Sequence, residues 1–245
     1  VYTVQPGDTL YSIAGAAGTS VLALVQNNPY LTDADALRPG EELVLRYTGD
    51  KRRSVYTTGY AYPYINRQVL YRALPYLSYL TIFGYGFTET GDLIGIDDVP
   101  LIEAARAFGA APVMLLSSIT ESGNFNSARA SRLFNDADLQ ATVLDNVLAT
   151  MQQKGYAGLD IDFEYIDPAD REAFVAFVAA AEQKLSPYGY SVNTDLAPKT
   201  SAAQSGLLYE AHDYAALGEA SDTLFLMTYE WGYTYGPPLA VAPID

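Results

Sequence analysis

From Ser54 onward, the hydrophobic positions of the chain follow two alternating patterns. Short runs of β-forming residues are separated by longer stretches in which apolar residues recur at helical spacing. We predict strands near residues 54–63, 79–87, 112–118, 156–165, 190–197 and 222–231. We predict helices between them, near residues 66–76, 97–109, 137–154, 168–186 and 207–217. This alternation is typical of a parallel α/β fold, and in particular of a (β/α)8 TIM barrel.

The number of predicted β/α units falls short of a closed barrel. Six units fit the pattern, whereas a closed barrel of this type has eight. Residues 54–245 are also fewer than the roughly 250 residues that such a barrel usually contains. We therefore expect a TIM barrel that is truncated after about six strands, with its C-terminal part missing.

The first 47 residues show a pattern of their own. A short strand at Tyr2 to Val4 precedes Thr9, which is suited to cap the N-terminus of a first helix. A second short helix contains residues 21–25, and a strand follows at residues 42–45. This order predicts a small βααβ domain over residues 1–47. The polar residues 48–53 then form a linker to the barrel at residues 54–245.

One predicted strand carries three carboxylates at every second position. In the sequence LDIDFEY, the side chains of Asp160, Asp162 and Glu164 share one face of the strand, spaced about 6.7 Å apart. Ile161 and Phe163 point to the other face. Helical stretches precede and follow this strand, so we expect both of its faces to be covered and the carboxylates to be buried. The alternative is the solvated face of an edge strand.

Burial of adjacent carboxylates changes their chemistry. Desolvation and neighbouring negative charges both favour the protonated form of a carboxyl group, so at least one of the three should have a raised pKa. A carboxylic acid that stays protonated near neutral pH can donate a proton to a leaving oxygen, as glycosidases require. The strand therefore predicts a glycoside-hydrolase active site.

Composition narrows the range of ligands. The formal net charge is −15 and the pI is about 4.3, which disfavours nucleic acid and anionic membranes as main ligands. The chain has no cysteine, so disulfides and thiolate metal sites are excluded. Its 21 tyrosines suit the stacking of sugars, although most of them are equally consistent with ordinary core and surface positions. We predict no metal, no cofactor and no membrane span, and the sequence leaves the oligomeric state open.

The N-terminal domain resembles the LysM family over its whole length. The resemblance is carried by the segments VQPGDTLYSIA, QNNP and LRPGEELVL, in this order. It implies binding of glycans that contain N-acetylglucosamine, namely peptidoglycan or chitin. The binding residues that it implies lie in two loops: Gly7, Asp8, Thr9 and Leu10 in the first, and Asn28, Pro29, Tyr30 and Leu31 in the second.

The barrel resembles glycoside hydrolase family 18. The segment GLDIDFEY is similar to the catalytic motif that ends the fourth barrel strand in this family, and Met227-Thr228-Tyr229-Glu230 is similar to its Met-x-Tyr-Asp motif. Two positions depart from the family pattern. Ala157 occupies a position where the family has an acidic residue, and Glu230 replaces an aspartate, which lengthens the side chain by one methylene.

The resemblance implies a substrate-assisted mechanism with a role for each residue. Glu164 would act as the general acid and then as the general base for water. Asp162 would orient the acetamido group of the sugar, Asp160 would hold Asp162, and Tyr229 would bind the acetamido carbonyl. Further substrate contacts are expected near the ends of other strands, at Glu230, Met227, Trp231, Tyr60, Tyr62, Phe87 and Asn193. Asp195 is a weaker candidate, and we expect His212 to be structural.

LysM joined to family 18, with the segments TYEWGYTYGPP and AVAPI, resembles the spore-cortex-lytic N-acetylglucosaminidases of endospore formers. This implies retaining hydrolysis of β-1,4 bonds next to N-acetylglucosamine in spore-cortex peptidoglycan, with LysM as the anchor. We expect an extracytoplasmic protein, associated with the spore surface or cell wall, whose chain carries no signal peptide. Two alternatives remain: a chitinase, and a non-catalytic glycan-binding protein. The presence of Glu164 favours an enzyme, because family members that lost this acid are lectins.

Overall fold

The computed structural model describes residues 1–31, 37–50, 53–120, 122–229, 232 and 235–242. The chain forms two compact units, of which the first comprises residues 1–80 and 100–111 and the second residues 81–99 and 112–245. The helices and strands, in chain order, are β1 (Tyr2–Thr3), α1 (Leu10–Ala17), α2 (Val21–Asn27), β2 (Glu42–Leu43), β3 (Thr58–Ala61), α3 (Arg67–Ala73), β4 (Tyr79–Phe87), β5 (Leu93–Ile94), α4 (Val99–Ala107), β6 (Ala111–Ser117), α5 (Ser127–Asn135), α6 (Ala137–Lys154), β7 (Gly158–Asp162), α7 (Arg171–Leu185), β8 (Ser191–Leu196), α8 (Tyr214–Ala220) and β9 (Thr223–Leu226).

The first unit contains the predicted βααβ domain. β1 pairs with β2 in antiparallel orientation, with Tyr2 opposite Leu43. Thr9 caps α1 as predicted, because its hydroxyl accepts the Ser12 N–H while the Ser12 hydroxyl accepts the Thr9 N–H. Gly18 ends the helix in the left-handed conformation that glycine adopts without strain. A small core closes the domain, formed by Val4, Leu10, Ile13, Ala14, Leu24 and Leu43.

The second unit is built on a sheet with the strand order β4-β6-β7-β8-β9. The pairs β6–β7, β7–β8 and β8–β9 are parallel, and the short β5 pairs with the end of β4 in antiparallel orientation. Together with β3 of the first unit, the described residues supply six strands of the predicted type. The prediction of a (β/α)8 TIM barrel truncated after about six strands is confirmed.

Helices α5, α6 and α7 cover one face of this sheet with apolar side chains. The apolar residues that recur at helical spacing along α6 are all buried, and so are those along α7. At the centre lies a phenylalanine cluster, in which neighbouring ring centroids are 5.2–6.3 Å apart. The cluster consists of Phe87, Phe134, Phe163, Phe174 and Phe177. It fixes the end of β7 from the helical side.

The sequence pattern missed two elements and overextended others. α5 and β5 were not predicted, because α5 buries only three residues and β5 is two residues long. The predicted helix at 207–217 begins instead at Tyr214, because the Asp213 side chain accepts the Ala216 N–H and sets the N-terminus there. The last predicted strand is also shorter, since β9 ends at Leu226. None of the described helices has the length and hydrophobicity that a membrane span requires.

Candidate active site

The end of β7 presents its side chains as the alternation predicted. Asp160 and Asp162 are only 2% and 4% exposed, and Glu164, two residues beyond the strand, is half-buried. Ile161 and Phe163 are fully buried, and Phe163 belongs to the phenylalanine cluster on the helical side. Three carboxyl groups therefore lie on the barrel side of one strand, separated from the helices by apolar neighbours.

The register of the sheet identifies the neighbours of these carboxylates. On β6, Leu115 is paired with Asp160 and Ser117 with Asp162; on β8, Asn193 is paired with Asp160. Paired residues in adjacent parallel strands project to the same face, so Ser117 and Asn193 share the barrel side with the acidic residues. Ser117 was not predicted as a site residue, although a serine that ends an apolar strand was a signal in the sequence.

A second residue that the sequence did not identify is Thr81 on β4. Its side chain is buried, and its hydroxyl donates a 3.1 Å hydrogen bond to Oδ2 of Asp160. The only signal for it was a polar residue within an otherwise apolar strand. The contact holds one oxygen of Asp160 in place at the base of the acidic column.

The electrostatics of the site centre on Asp162. Burial raises the pKa of this carboxyl group to about 8, and the negative charges of Glu164 and Asp160 act in the same direction. Its Oδ1 atom is buried and accepts no hydrogen bond from the part of the chain that the structure describes. Asp162 is therefore protonated at neutral pH and retains capacity for a polar contact with a ligand.

The exit of β9 carries the second predicted motif. The Met227 N–H donates to the Leu196 carbonyl at 3.0 Å, so this segment continues along β8. The Tyr229 side chain is 38% exposed, and its ring lies 6.4 Å from that of Phe225. Glu230 and Trp231, which were predicted to contact the substrate, lie outside the described residues.

The remaining predicted substrate contacts fall into different environments. Asn193 is half-buried and accepts a hydrogen bond from the Thr223 hydroxyl. Phe87 is fully buried against Phe163 in the phenylalanine cluster, so its assignment to the substrate site is corrected to a core position. Tyr60 and Tyr62 belong to the first unit, where Tyr62 is exposed and stacks on a neighbouring tyrosine.

Asp195 and His212 are both buried in the second unit. Asp195 lies two residues after Asn193 on β8, on the same face. His212 bonds to backbone groups through both ring nitrogens, in agreement with the structural role expected for it. Among the residues that the structure describes, no group of three or more His, Asp or Glu side chains is arranged to hold a metal ion.

The first loop of the βααβ domain is built around Asp8. Its Oδ2 accepts hydrogen bonds from the Gln5 N–H and the Tyr2 hydroxyl, both at 2.7 Å, and Gly7 supplies the positive φ of 89° that the turn needs. Gly7 and Thr9 are exposed, whereas Leu10 is buried in the small core. The prediction that Leu10 contacts glycan is corrected, since its side chain supports the loop from below.

The second loop of this domain is fixed by Asn28. Its amide donates to the Leu24 and Val44 carbonyls, at 2.7 and 2.9 Å, and accepts the Val44 N–H at 2.7 Å. Asn28 is fully buried and is reassigned from glycan contact to loop support. Pro29 and Tyr30 are exposed and Leu31 is half-buried, so these three remain candidates for glycan contact.

The chain matches two known families. The family described as Glycosyl hydrolases family 18 matches residues 53–239, and the LysM domain matches residues 2–46. Both resemblances predicted from the sequence motifs are confirmed. The matched ranges give no test of where the domains end, so the predicted boundaries stay a prediction.

Individual relatives agree with these families. The chain is 34% identical to the cortical fragment-lytic enzyme of Bacillus subtilis (strain 168), over 100% of this chain and 68% of that protein. It is similar to the crystal structure of the Bacillus cereus spore cortex-lytic enzyme SleL, with 33% identity, a TM-score of 0.74 and coverage of 99% of this chain and 57% of that one. A class V chitinase from Pseudomonas fluorescens Pf-5 is 27% identical, with a TM-score of 0.63 and coverage of 73% and 55%. The chain spans little more than half the length of these solved proteins.

Proposed function

The chain belongs to glycosyl hydrolase family 18, and on this premise we propose that it hydrolyses β-1,4 bonds next to N-acetylglucosamine in spore-cortex peptidoglycan. The observation that carries the proposal is the buried carboxyl of Asp162 beside the half-buried Glu164. A site with two coupled carboxyl groups, one kept protonated by burial, suits acid-base cleavage of a glycosidic bond.

We propose that the first step is substrate-assisted. The carbonyl oxygen of the substrate's own acetamido group attacks the anomeric carbon as the bond to the leaving oxygen breaks. Glu164 delivers to that leaving oxygen the proton that the coupled Asp162 and Glu164 carboxyl groups share. The product of the step is a cyclic oxazolinium ion, which carries the positive charge within the sugar.

In the second step Glu164 acts as a base. It removes a proton from a water molecule, whose oxygen attacks the anomeric carbon and reopens the oxazolinium ring. Two displacements at the same carbon retain its configuration. At the end of the cycle the proton is again held by the coupled pair of Glu164 and Asp162.

Asp162 would orient the acetamido group during both steps. Its buried Oδ1 provides an acceptor for the acetamido N–H, and the oxazolinium charge would be stabilised by the neighbouring carboxyl groups. Asp160, held by Thr81, would keep Asp162 in place from below. Tyr229 would donate to the acetamido carbonyl. Within the second unit, Met227 and Asn193 would also line the sugar site. The contacts predicted from the sequence at Glu230, Trp231, Tyr60 and Tyr62 stay predictions.

The choice of cortex peptidoglycan over chitin rests on similarity. The relative named as a cortical fragment-lytic enzyme is 34% identical over the full chain, whereas the chitinase is 27% identical over 73% of it. We further propose that the LysM domain anchors the protein to the glycan through its two loops. An enzyme of this kind would work outside the cytoplasm, associated with the spore cortex. The domain boundaries at residues 47 and 54 form part of this proposal.

The test is a parallel digestion of purified spore-cortex peptidoglycan and colloidal chitin. Wild type and Glu164→Gln are compared, since the substitution keeps the side-chain size but removes the acid. Mass spectrometry of the products identifies the sugar at each new reducing end. We expect new N-acetylglucosamine reducing ends from cortex with wild type alone, while both proteins sediment equally with the insoluble glycan.

Other outcomes would redirect the proposal. Products from chitin alone would identify a chitinase. Sedimentation without products from either glycan would identify a non-catalytic glycan-binding protein. Turnover that survives Glu164→Gln would show that this residue is not the acid.

A further inference from the structure

His212 is the single histidine of the chain, and the proposed catalytic steps do not use it. Its side chain is 1% exposed and lies in the segment between β8 and α8. Burying an imidazole costs free energy unless its nitrogens are hydrogen-bonded, and both nitrogens of His212 have backbone partners. The identity of these two partners indicates the role of the side chain.

The hydrogen bonds of His212 define its tautomer. The Ala197 N–H donates to Nδ1 at 3.0 Å, and since a backbone amide can only donate, Nδ1 must be the acceptor. The ring proton of the neutral imidazole is then on Nε2, which donates to the Phe163 carbonyl at 3.1 Å. Burial lowers the pKa of His212 to about 4, although the bond to Phe163 opposes the shift, so the ring is neutral in this tautomer at neutral pH.

The two partners lie where β7 and β8 separate. The ladder between these strands ends at the pair of Ile161 with Thr194, and Phe163 and Ala197 each lie just beyond the end of their strand. The imidazole of His212 therefore links the segments that follow β7 and β8, beyond the last paired residues of the two strands. Phe163 immediately precedes Glu164.

We infer that His212 is a positioning residue, which holds the catalytic acid Glu164 by fixing the carbonyl of Phe163. The peptide unit is planar, so a fixed Phe163 carbonyl also fixes the N–H and Cα of Glu164. The Phe163 ring is fixed independently by the phenylalanine cluster, whose member Phe174 lies 6.0 Å from the imidazole. This inference rests on the proposed role of Glu164.

Lys199 supports His212 from its other side. Its ammonium group donates to the His212 carbonyl and, at 3.1 Å, to the Tyr209 carbonyl, while lying over the ring of Tyr214. The backbone of His212 is thus held by the Lys199 side chain, and its ring by the backbone of Phe163 and Ala197. Glu164 is positioned by a connected set of contacts, none of which touches the sugar in the proposed mechanism.

The test compares three substitutions in the full chain. His212→Phe keeps an aromatic ring but removes both hydrogen bonds. His212→Gln can retain both, because its amide oxygen can accept and its amide nitrogen can donate. His212→Asn can accept from Ala197 but is too short to reach Phe163. Tyr156→Phe is the matched control, since it removes a buried hydrogen bond to Asp98 at the opposite end of β7.

The readout is the separation of kcat from KM on soluble cortex oligosaccharides, per folded molecule measured by circular dichroism. A positioning role predicts that kcat falls by about 10- to 100-fold in His212→Phe and His212→Asn, with KM changed less than about threefold. His212→Gln should restore most of kcat, and Tyr156→Phe should lower stability without lowering kcat.

Normal kcat in folded His212→Phe would overturn the inference, and if that variant does not fold, normal kcat in His212→Asn would do the same. Failure of the proposed function itself gives a different pattern, because wild type would then be inactive or Glu164→Gln active.

Discussion

Two buried aspartates in the second unit, Asp98 and Asp162, lie in opposite electrostatic environments. Asp98 is 0% exposed and accepts hydrogen bonds from Lys154 at 2.6 Å and from the hydroxyls of Tyr85 and Tyr156. Asp162 is 4% exposed, and its Oδ1 accepts no hydrogen bond from the described residues. One carboxylate is fully bonded, and the other has negative neighbours.

Their pKa values follow from this difference. Burial alone would raise the pKa of Asp98, but the hydrogen bonds from Lys154, Tyr156 and Tyr85 outweigh it and lower the pKa below its ordinary value. For Asp162 burial and the charges of Glu164 and Asp160 act in the same direction, and the pKa rises to about 8. Burial therefore does not identify a functional carboxyl by itself; the absence of compensating donors does.

The largest effect is expected from Glu164→Gln, which removes the group that delivers the proton and, at rest, carries a negative charge beside Asp162. We expect kcat to fall by about 10³-fold, since general acid catalysis is lost. The pKa of Asp162 should fall as well, because the charge of Glu164 contributes to its elevation. Initial-rate kinetics and a titration of the variant measure the two effects; an unchanged pKa would mean that burial and Asp160 suffice to protonate Asp162 without the charge of Glu164.

The next largest effect is expected from Asp98→Asn, on stability alone. The substitution breaks a buried ion pair with Lys154, so the free energy of unfolding should fall by about 3 kcal/mol. A lowered pKa in the folded state stabilises the protein above the unfolded pKa, and this contribution is lost as the pH falls through the folded pKa. The difference between wild type and variant in urea denaturation should therefore shrink on acidification.

The control for Asp98→Asn is the turnover of the folded variant. Because none of the hydrogen-bond donors to Asp98 belongs to the acidic column, kcat should stay within about twofold of the wild type. A large loss of kcat would show that the two carboxylates are coupled.

Asp162→Asn should have the opposite effect on stability. A raised pKa in the folded state gives stability that is present below the ordinary value of 3.8 and is lost as the pH rises through about 8. The amide that this substitution introduces does not titrate, so the variant should be more stable than the wild type at pH 8, by about 1 kcal/mol or more. Its turnover should nevertheless fall; greater stability at pH 4 only would contradict this account.

The smallest effect is expected from Thr81→Val, which removes the hydroxyl that holds Asp160. We expect kcat to fall by about tenfold, the value of one hydrogen bond to a charged group. Thr81→Ser keeps the hydroxyl and serves as the matched control. Equal rates for the two variants would show that this contact has no role in turnover.

Much of this arrangement could be predicted from the order of residues. The alternation along LDIDFEY placed Asp160, Asp162 and Glu164 on one face, because a strand has a period of two and requires no knowledge of its partners. The buried faces of α6 and α7 were predictable for the same reason. Local periodicity was sufficient to predict which side chains share a face, because that depends on one strand or helix alone.

The contacts that cross between elements could not be predicted. Thr81 reaches Asp160 across 79 positions of sequence, and the donors to Asp98 come from two separate segments, one with Tyr85 and one with Lys154 and Tyr156. Phe87 was misplaced, because its alternation along β4 gave no information on which side the phenylalanine cluster would form. Asn28 was misplaced because a loop asparagine can face solvent or support the backbone, and only the fold determines which.

The most direct test of the central claim is a titration of the aspartate carboxyl carbons by NMR in the intact protein, with Asp98→Asn and Asp162→Asn used to assign the signals. We predict that the Asp162 carboxyl is protonated at pH 7 and titrates near pH 8. The Asp98 carboxyl should stay ionised down to a pH below the ordinary pKa of an aspartate. Titration of Asp162 below pH 5, alongside Asp98, would contradict the claim that burial beside Glu164 keeps this group protonated for catalysis.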